Sequence, residues 1–334
     1  MNLKVLFIGG TGIISSACSE LAIEMGMELT LLNRGQSQRP TPKGARVVQA
    51  DINDPGSVNR ALEGQKFDCV VDWIAFTTPQ VERDIALFAD IAGQYIFISS
   101  ASAYQTPPAS LPVTESTPLQ NPFWEYSRNK IACEERLLAE YRQNGFPFTV
   151  VRPSHTYDRT YIPIEGGYTT IQRMRQGKKV VVHGDGTSLW VMTHHKDFAK
   201  GFVGLLGNPQ AIGQAYHITT DEVHSWNQIF EIFAKAAGCE AKIVHIPSDI
   251  IAAYDPRWGD GLLGDKAASM IFDNTKIKRA VPGFAATIPL SWGARECIAF
   301  ADADPSRQKI NEEKDRLMDQ LIEAQERAYP AHSR

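Results

Sequence analysis

The chain has 334 residues, enough for one large domain or two smaller ones with a substantial core. It is 43% hydrophobic and 22% charged with a formal net charge of −4, which fits a globular protein and argues against the basic field that gathers nucleic acid or other polyanions. The five cysteines, Cys18, Cys69, Cys133, Cys239 and Cys297, are odd in number, scattered and free of CxxC spacing, so neither a disulfide framework nor a zinc site is expected and a reducing compartment fits.

Residues 4–15, KVLFIGGTGIIS, run from a strand-like apolar segment into Gly9-Gly10-Thr11-Gly12 and then into a helical pattern. Strand, glycine turn and helix in that order suit a pyrophosphate, because bare glycine backbone allows close approach and the helix N-terminus offers free N–H groups and a positive dipole end. Ser15 stands where a third glycine would let the helix lie close to the sheet, and it is small enough to serve. The strand begins almost at Met1 and no apolar run approaches a membrane span in length, so no signal peptide or anchor is expected and a cytoplasmic location is.

A helix is predicted over 12–26, with Ile13, Ala17, Leu21 and Met25 turned to the sheet. The second strand, 28–32, ends at Asn33-Arg34, where NAD-selective sites place an acid against the ribose 2′-hydroxyl; an amide followed by a guanidinium accepts a 2′-phosphate instead, so NADP is favoured over NAD. Further strands are predicted at 47–51, around 69–72, at 95–99 and at 148–152, with helical patterns between them. Such alternation gives a parallel sheet that binds ligands at the carboxyl ends of its strands. Asp51 then sits near an adenine ring or caps the next helix.

After residue 158 the rhythm changes. Gly166-Gly167, a basic helix with Arg173 and Arg175, and a hairpin-like 180–186 suggest a smaller lid. His194-His195 is a poor metal pair, since neighbours on a strand point to opposite faces and no third ligand follows. Asp197 and Asp273-Asn274 read as helix N-caps, and 306–328, with Ile310, Leu317, Leu321 and Ala324, as a surface amphipathic helix.

Tyr126-Ser127-Arg128-Asn129-Lys130 opens the helix between the fifth and sixth strands, and four residues on a helix place two side chains on one face. An ammonium beside a phenol favours the phenolate and makes Tyr126 a usable base. Upstream, Ser99-Ser100-Ala101-Ser102-Ala103-Tyr104 puts hydroxyls at a strand's carboxyl end. Taken in order, GGTGIIS, SSASAY, YSRNK, RPSHTY, HGDG and HHKDFAKG resemble the extended short-chain dehydrogenase/reductases, specifically the NAD-dependent epimerase/dehydratase family, over nearly the whole chain.

The resemblance implies an α/β fold: a Rossmann-type doubly wound parallel sheet over 1–158, rejoined by 189–220, with a smaller C-terminal α/β substrate domain from 159–188 and 221–334. It implies Tyr126 as acid/base, Lys130 as the ligand of the nicotinamide ribose that lowers the tyrosine pKa, and Ser100, or alternatively Ser102, as the hydroxyl holding the substrate oxygen. Gly9, Thr11, Gly12, Ile13, Asn33, Arg34, Asp51, Ile52 and Ala75, with Tyr126 and Lys130, are the implied cofactor positions. His155 and Trp190 are implied substrate neighbours. The implied reaction is reversible oxidation at a carbohydrate hydroxyl, as an epimerase first and a stand-alone dehydrogenase/reductase second, in a homodimer paired through the helix of Tyr126.

Three departures shape that expectation. Ala101 and Ser102 replace the acids that sugar 4,6-dehydratases carry after the catalytic hydroxyl, which disfavours dehydration. Trp190 stands where sugar-nucleotide enzymes place an arginine against the substrate pyrophosphate, leaving Arg173, Arg175 or Arg257 as substitutes. A branch of related proteins, the chloroplast stem-loop RNA-binding proteins, uses the fold to bind RNA. The acidic balance and the intact Ser100, Tyr126 and Lys130 argue against that role here, and against a sensor that reads the dinucleotide without turnover.

Overall fold

The computed structural model describes residues 2–37 and 39–328. Six parallel strands open the fold: β1 (Lys4–Ile8), β2 (Glu28–Asn33), β3 (Arg46–Gln49), β4 (Cys69–Asp72), β5 (Tyr95–Ile98) and β6 (Phe148–Pro153). Between them run α1 (Ile13–Glu24), α2 (Pro55–Ala61), α3 (Thr78–Phe88) and the long α4 (Glu125–Asn144). The later strands are short: β7 (His155–Tyr157), β8 (Lys179–His183), β9 (Leu189–Trp190), β10 (Met192–His194), β11 (Ala215–Ile218), β12 (His224–Ser225) and β13 (Lys242–Ile246). The helices around them are α5 (Tyr168–Arg175), α6 (His195–Val203), α7 (Trp226–Ala236), α8 (Ser248–Tyr254), α9 (Pro256–Gly261), α10 (Thr275–Ala280), α11 (Leu290–Asp302) and α12 (Glu312–Ala328).

The central sheet has seven strands in the order β11-β6-β5-β4-β1-β2-β3, all parallel. Both faces are covered, as an all-parallel sheet requires. Alternate residues of β1 sort to opposite sides: Val5 and Phe7 pack with Phe198 and Phe202 of α6, while Leu6 and Ile8 pack with Val81, Phe88 and Leu137 of α3 and α4. Strand order turns back at β1, which leaves a crevice at its carboxyl end, the usual ligand position in such sheets. A second core, built around Tyr157, Trp190, Trp226, Phe230 and Phe233, lies in the later part of the chain.

Several local expectations are corrected. The segment at 180–186 is not a hairpin: β8 pairs in parallel with β13, more than fifty residues downstream, and Gly184 and Gly186 only turn the chain out of that pair. The buried stripe of α1 is Ala17, Cys18 and Ala22 with Ser15 and Ser19, and Met25 is 60% exposed. Small side chains there allow close packing on α6, a contact invisible to a periodicity that rewards bulk. Asp197 is not an N-cap, since His194 holds that position; the Asp197 carboxylate instead accepts the Lys200 ammonium at 2.6 Å and the N–H groups of Thr287 and Ile288. Helix α12 begins at Glu312, after an exposed Ile310, and buries Met318, Leu321 and Ile322.

The turn after β1 demands glycine twice. Gly9 and Gly10 have φ of +99° and +91°, and a Cβ on Gly10 would lie 2.7 Å from Leu31 Cδ2 in the core. Gly10→Ala is expected to lower stability by about 2–4 kcal/mol, combining left-handed strain with an overpacked contact. A fall in the urea midpoint without a change in slope checks this, and an unchanged midpoint contradicts it.

Candidate active site

The carboxyl ends of β1, β2 and β4 frame a groove of about 420 Å³. Ile8, Leu32, Ala50, Ile52 and Ile74 form apolar walls, and Asn33, Arg34, Ser37, Asp51 and Asn53 form a polar rim. Gly9 lines this groove, and Gly12, three residues on, is exposed and caps α1, with its N–H taken by Ser15 Oγ at 2.7 Å. The loop after β2 folds back over the turn: Thr11 Oγ1 donates to Ser37 Oγ, and Arg39 reaches Asp158 Oδ2 at 2.6 Å and Thr160 Oγ1 at 2.6 Å. Asn33 accepts the N–H of Gly35, and the Arg34 guanidinium is exposed. Asp51 accepts both N–H groups offered by Asn53, while the cap of α2 is Asp54, so the alternative of Asp51 as helix cap is set aside.

Alongside the groove, α4 carries Tyr126 and Lys130 on one face. Lys130 is buried, and its ammonium donates to the carbonyls of Ala75 at 2.6 Å and Ile98 at 2.7 Å, ending two strands on one charge. It also lies 4.3 Å from the Phe76 ring centre and 5.8 Å from that of Tyr126. Burial pushes its pKa down to about 8. Burial holds the Tyr126 phenol above its ordinary pKa range, with the neighbouring Ser100 hydroxyl pulling against it and Asp265 adding in the same direction as burial. Desolvation here opposes the expected depression by Lys130, whose protons face the two carbonyls.

Ser102 is buried and bonds Ser100 Oγ at 2.9 Å and Ser127 Oγ at 2.7 Å. It therefore backs Ser100 rather than replacing it in the cleft. His155 Nδ1 accepts the indole N–H of Trp190 at 3.2 Å, and burial together with the Lys266 charge pushes the imidazole down to about 3, so it is neutral. Trp190 is itself only 1% exposed and packs in the second core, which corrects its expectation as a substrate neighbour. Arg173 is tied to Asp315 and Asp319, and Arg175 to Asp302, so neither is free to replace the missing arginine. His194 pairs with Glu296, and His195 Nδ1 donates to the carbonyl of Ile13. Among the described residues no three His, Cys, Asp or Glu side chains gather in a way that could hold a metal ion.

The residues that sequence reasoning missed are those that hold the others. Asn121, buried, donates to the carbonyls of Ser102 at 2.8 Å and Gly264 at 2.6 Å and accepts the N–H groups of Phe123 and Trp124. Gly264 lies in a single π-turn, Leu262–Lys266, whose Asp265 acts electrostatically on Tyr126 and whose Lys266 acts on His155. A Cβ on Gly264 would lie 2.7 Å from Trp124 Cβ. No periodicity or motif marks these positions.

A model of the NAD dependent epimerase/dehydratase family matches residues 5–219, which include the glycine turn, Ser100, Tyr126 and Lys130. The chain belongs to that family. Among curated family relatives it is 27% identical over 257 residues to the chloroplast stem-loop binding protein of 41 kDa b of Arabidopsis thaliana, a match covering 72% of this chain. It is 28% identical over 169 residues to UDP-glucose 4-epimerase of Lactobacillus helveticus, a match covering 45% of this chain. The chain spans 65% and 51% of those two relatives. A crystal structure of dTDP-glucose 4,6-dehydratase from Bacillus anthracis in complex with NAD shares the fold, with a TM-score of 0.71 at 16% identity over 91% of this chain and 98% of that one. Among the described residues no helix is long and apolar enough to cross a membrane.

The buried Lys130 gives a pH test of the site. Its folded pKa lies below its unfolded value, so between about pH 8 and pH 10.5 the unfolded chain binds more protons and folding is favoured as pH rises. Relative to Lys130→Met, the parent protein is expected to gain about 1–2 kcal/mol between pH 8 and pH 9.5, read by urea denaturation at each pH. A difference independent of pH contradicts the burial of a titrating ammonium.

Proposed function

We propose that this family member is an enzyme that oxidises and re-reduces a carbohydrate hydroxyl, as a sugar or sugar-nucleotide epimerase first and as a stand-alone dehydrogenase/reductase second. The observation that carries the reading is the Tyr126 ring 5.8 Å from the buried Lys130 ammonium on the same helix face, with the Ser100 hydroxyl acting on the phenol, beside the groove of the glycine turn. The groove suits a dinucleotide. Gly9 and Gly10 leave backbone bare where a Cβ would crowd Trp73 or Leu31, and the start of α1 is open beside Thr11, Gly12 and Ile13. Ala50, Ile52 and Ile74 would flank an adenine, Asn33, Arg34 and Asp51 would face its ribose, and Ala75, Tyr126 and Lys130 would border the nicotinamide end.

A bound nicotinamide supplies the hydride acceptor and donor. The protein's part is proton handling and orientation. Tyr126 takes the substrate hydroxyl proton as the carbonyl forms and returns it on reduction, Ser100 donates a hydrogen bond to the same oxygen, and the Lys130 ammonium holds positive charge beneath both. The neutral His155 offers a hydrogen-bonding wall. The free guanidinium of Arg34 supports NADP over NAD, and Ala101 with Ser102 in place of acids supports oxidation without dehydration.

Incubation with UDP-glucose and dTDP-glucose, followed by NMR of the sugar, tests the reading. Conversion in the parent and a fall of at least about 100-fold in Tyr126→Phe, with dinucleotide binding kept, is expected; unchanged turnover in the variant overturns it. Arg34→Ala is expected to weaken NADPH about 10-fold and leave NADH unchanged by fluorescence titration, and equal effects on both remove the NADP preference. The likeness to a stem-loop binding protein supports a second reading, RNA recognition, which the net charge of −4 opposes. A salt-sensitive shift of RNA at micromolar protein would favour it.

A further inference from the structure

Arg83 lies on α3, and its side chain is 12% exposed. The guanidinium bonds in three directions. Nε and Nη2 donate to Asp84 Oδ1 at 2.9 and 2.7 Å, and Asp84, fully buried, also accepts the Tyr95 hydroxyl at 2.7 Å. Nη2 reaches Asp72 Oδ2 at 3.4 Å, and the other oxygen of that fully buried carboxylate accepts the N–H groups of Ile74 and Ala75. Nη1 donates to Asn53 Oδ1 at 2.9 Å. A guanidinium only donates and a carboxylate only accepts, so the direction of each bond is fixed. Asn53 therefore turns its oxygen to Arg83 and its amide protons to Asp51 Oδ1 at 3.2 Å, the atom that also takes the Asn53 backbone N–H. Among the described residues none donates to Asp51 Oδ2, on a side chain that lines the groove.

We propose that Arg83 is a positioning residue for dinucleotide binding: one guanidinium, seated on the buried Asp84, joins the Asp51–Asn53 turn to the Asp72–Ala75 turn and so sets the adenosine end of the groove. The inference rests on the reading of the groove as a dinucleotide site and deepens it. In the sheet β1 and β2 lie between β4 and β3, so these two turns, which follow β3 and β4, flank the groove between them. Through Asn53 the guanidinium orients the Asp51 carboxylate, whose second oxygen is left to accept a proton from the bound adenosine. Through Asp72 it steadies Ile74 on the other side and Ala75, whose carbonyl accepts the Lys130 ammonium. A lysine carries one compact point charge and cannot fork to three partners. Burying two carboxylates around one cation is by itself a weak source of stability, and the unit is intelligible as a brace between the two turns.

The test needs no known substrate. Full-length protein is titrated with NADPH and NADH by fluorescence, and the tighter binder is carried through the variants. Arg83→Lys, which keeps the charge but loses the fork, is expected to weaken binding about 10-fold, and Asn53→Ala about 5-fold. In the Arg83→Lys background Asn53→Ala is expected to add less than about 2-fold, because residues that act through one another are not additive, whereas independent effects on the fold would multiply. An Asn53→Ala effect equally large in both backgrounds, or Arg83→Lys without effect, overturns the proposal. Asn53 is exposed, so Asn53→Ala serves alone if Arg83→Lys does not fold, and unchanged binding in it then overturns the proposal. A parent protein that binds neither nucleotide overturns the dinucleotide reading itself, so the two failures are distinguishable.

Discussion

One buried carboxamide sets the geometry on which the candidate site depends. Asn121 can offer two protons and accept on one oxygen, and it does both to the full, to residues on three separate segments. Its donors hold the turn after β5, which presents Ser100 and Ser102, against the π-turn that presents Asp265 and Lys266. Its oxygen fixes the entry of α4, two residues before Tyr126. The two bonds to the carbonyls of Ser102 and Gly264 are buried, where an unmade one would cost about 1–3 kcal/mol, so the turn after β5 and the π-turn are held to one another.

The electrostatics of the site are set by exclusion of water more than by charge pairing. Lys130, the Tyr126 phenol and the Asp265 carboxyl are each shifted away from ionisation chiefly by burial, with specific neighbours as smaller contributions. Keeping an ammonium in such a place costs about 3 kcal/mol by the displacement of its pKa, and two carbonyl bonds and aromatic rings offset part of that. A core lysine that held only structure would be replaced at a gain in stability. Its retention beside a phenol and a dinucleotide-shaped groove is intelligible as preorganised charge.

The sequence was most informative where chemistry is local. Gly9, Gly12, Ser100, Tyr126 and Lys130 stand in short segments whose spacing carries its own physical reason, and the alternation of strand-like and helix-like segments around them pointed to the parallel sheet from β1 to β6. It was least informative where a partner lies far along the chain. Val180–Val182 resembles a hairpin arm until β13 is known to lie beside it. Asp197 looks like a cap until Thr287 and Ile288 are seen to donate to it, and Arg173 looks like a phosphate ligand until Asp315 and Asp319 close on it. Asn121 and Asp265 had no local signature at all, since each acts through contacts between segments.

The same long-range logic joins the later half of the chain to the groove. Arg39, on the loop that walls the outer groove, pairs with Asp158, a carboxylate that is almost fully buried and carries lowered pKa through hydrogen bonds from Arg39 and Thr160. His195, at the start of α6, donates to the carbonyl of Ile13 at the start of α1, beside the turn of Gly12. Each of these links has one partner beside the glycine turn or on the loop after β2 and the other just after β7 or β10, the strands next to His155 and Trp190. A shift of the later half would break these partly buried bonds of Asp158 and the Ile13 carbonyl. The loop after β2 and the start of α1 are thereby tied to the segments that follow β7 and β10.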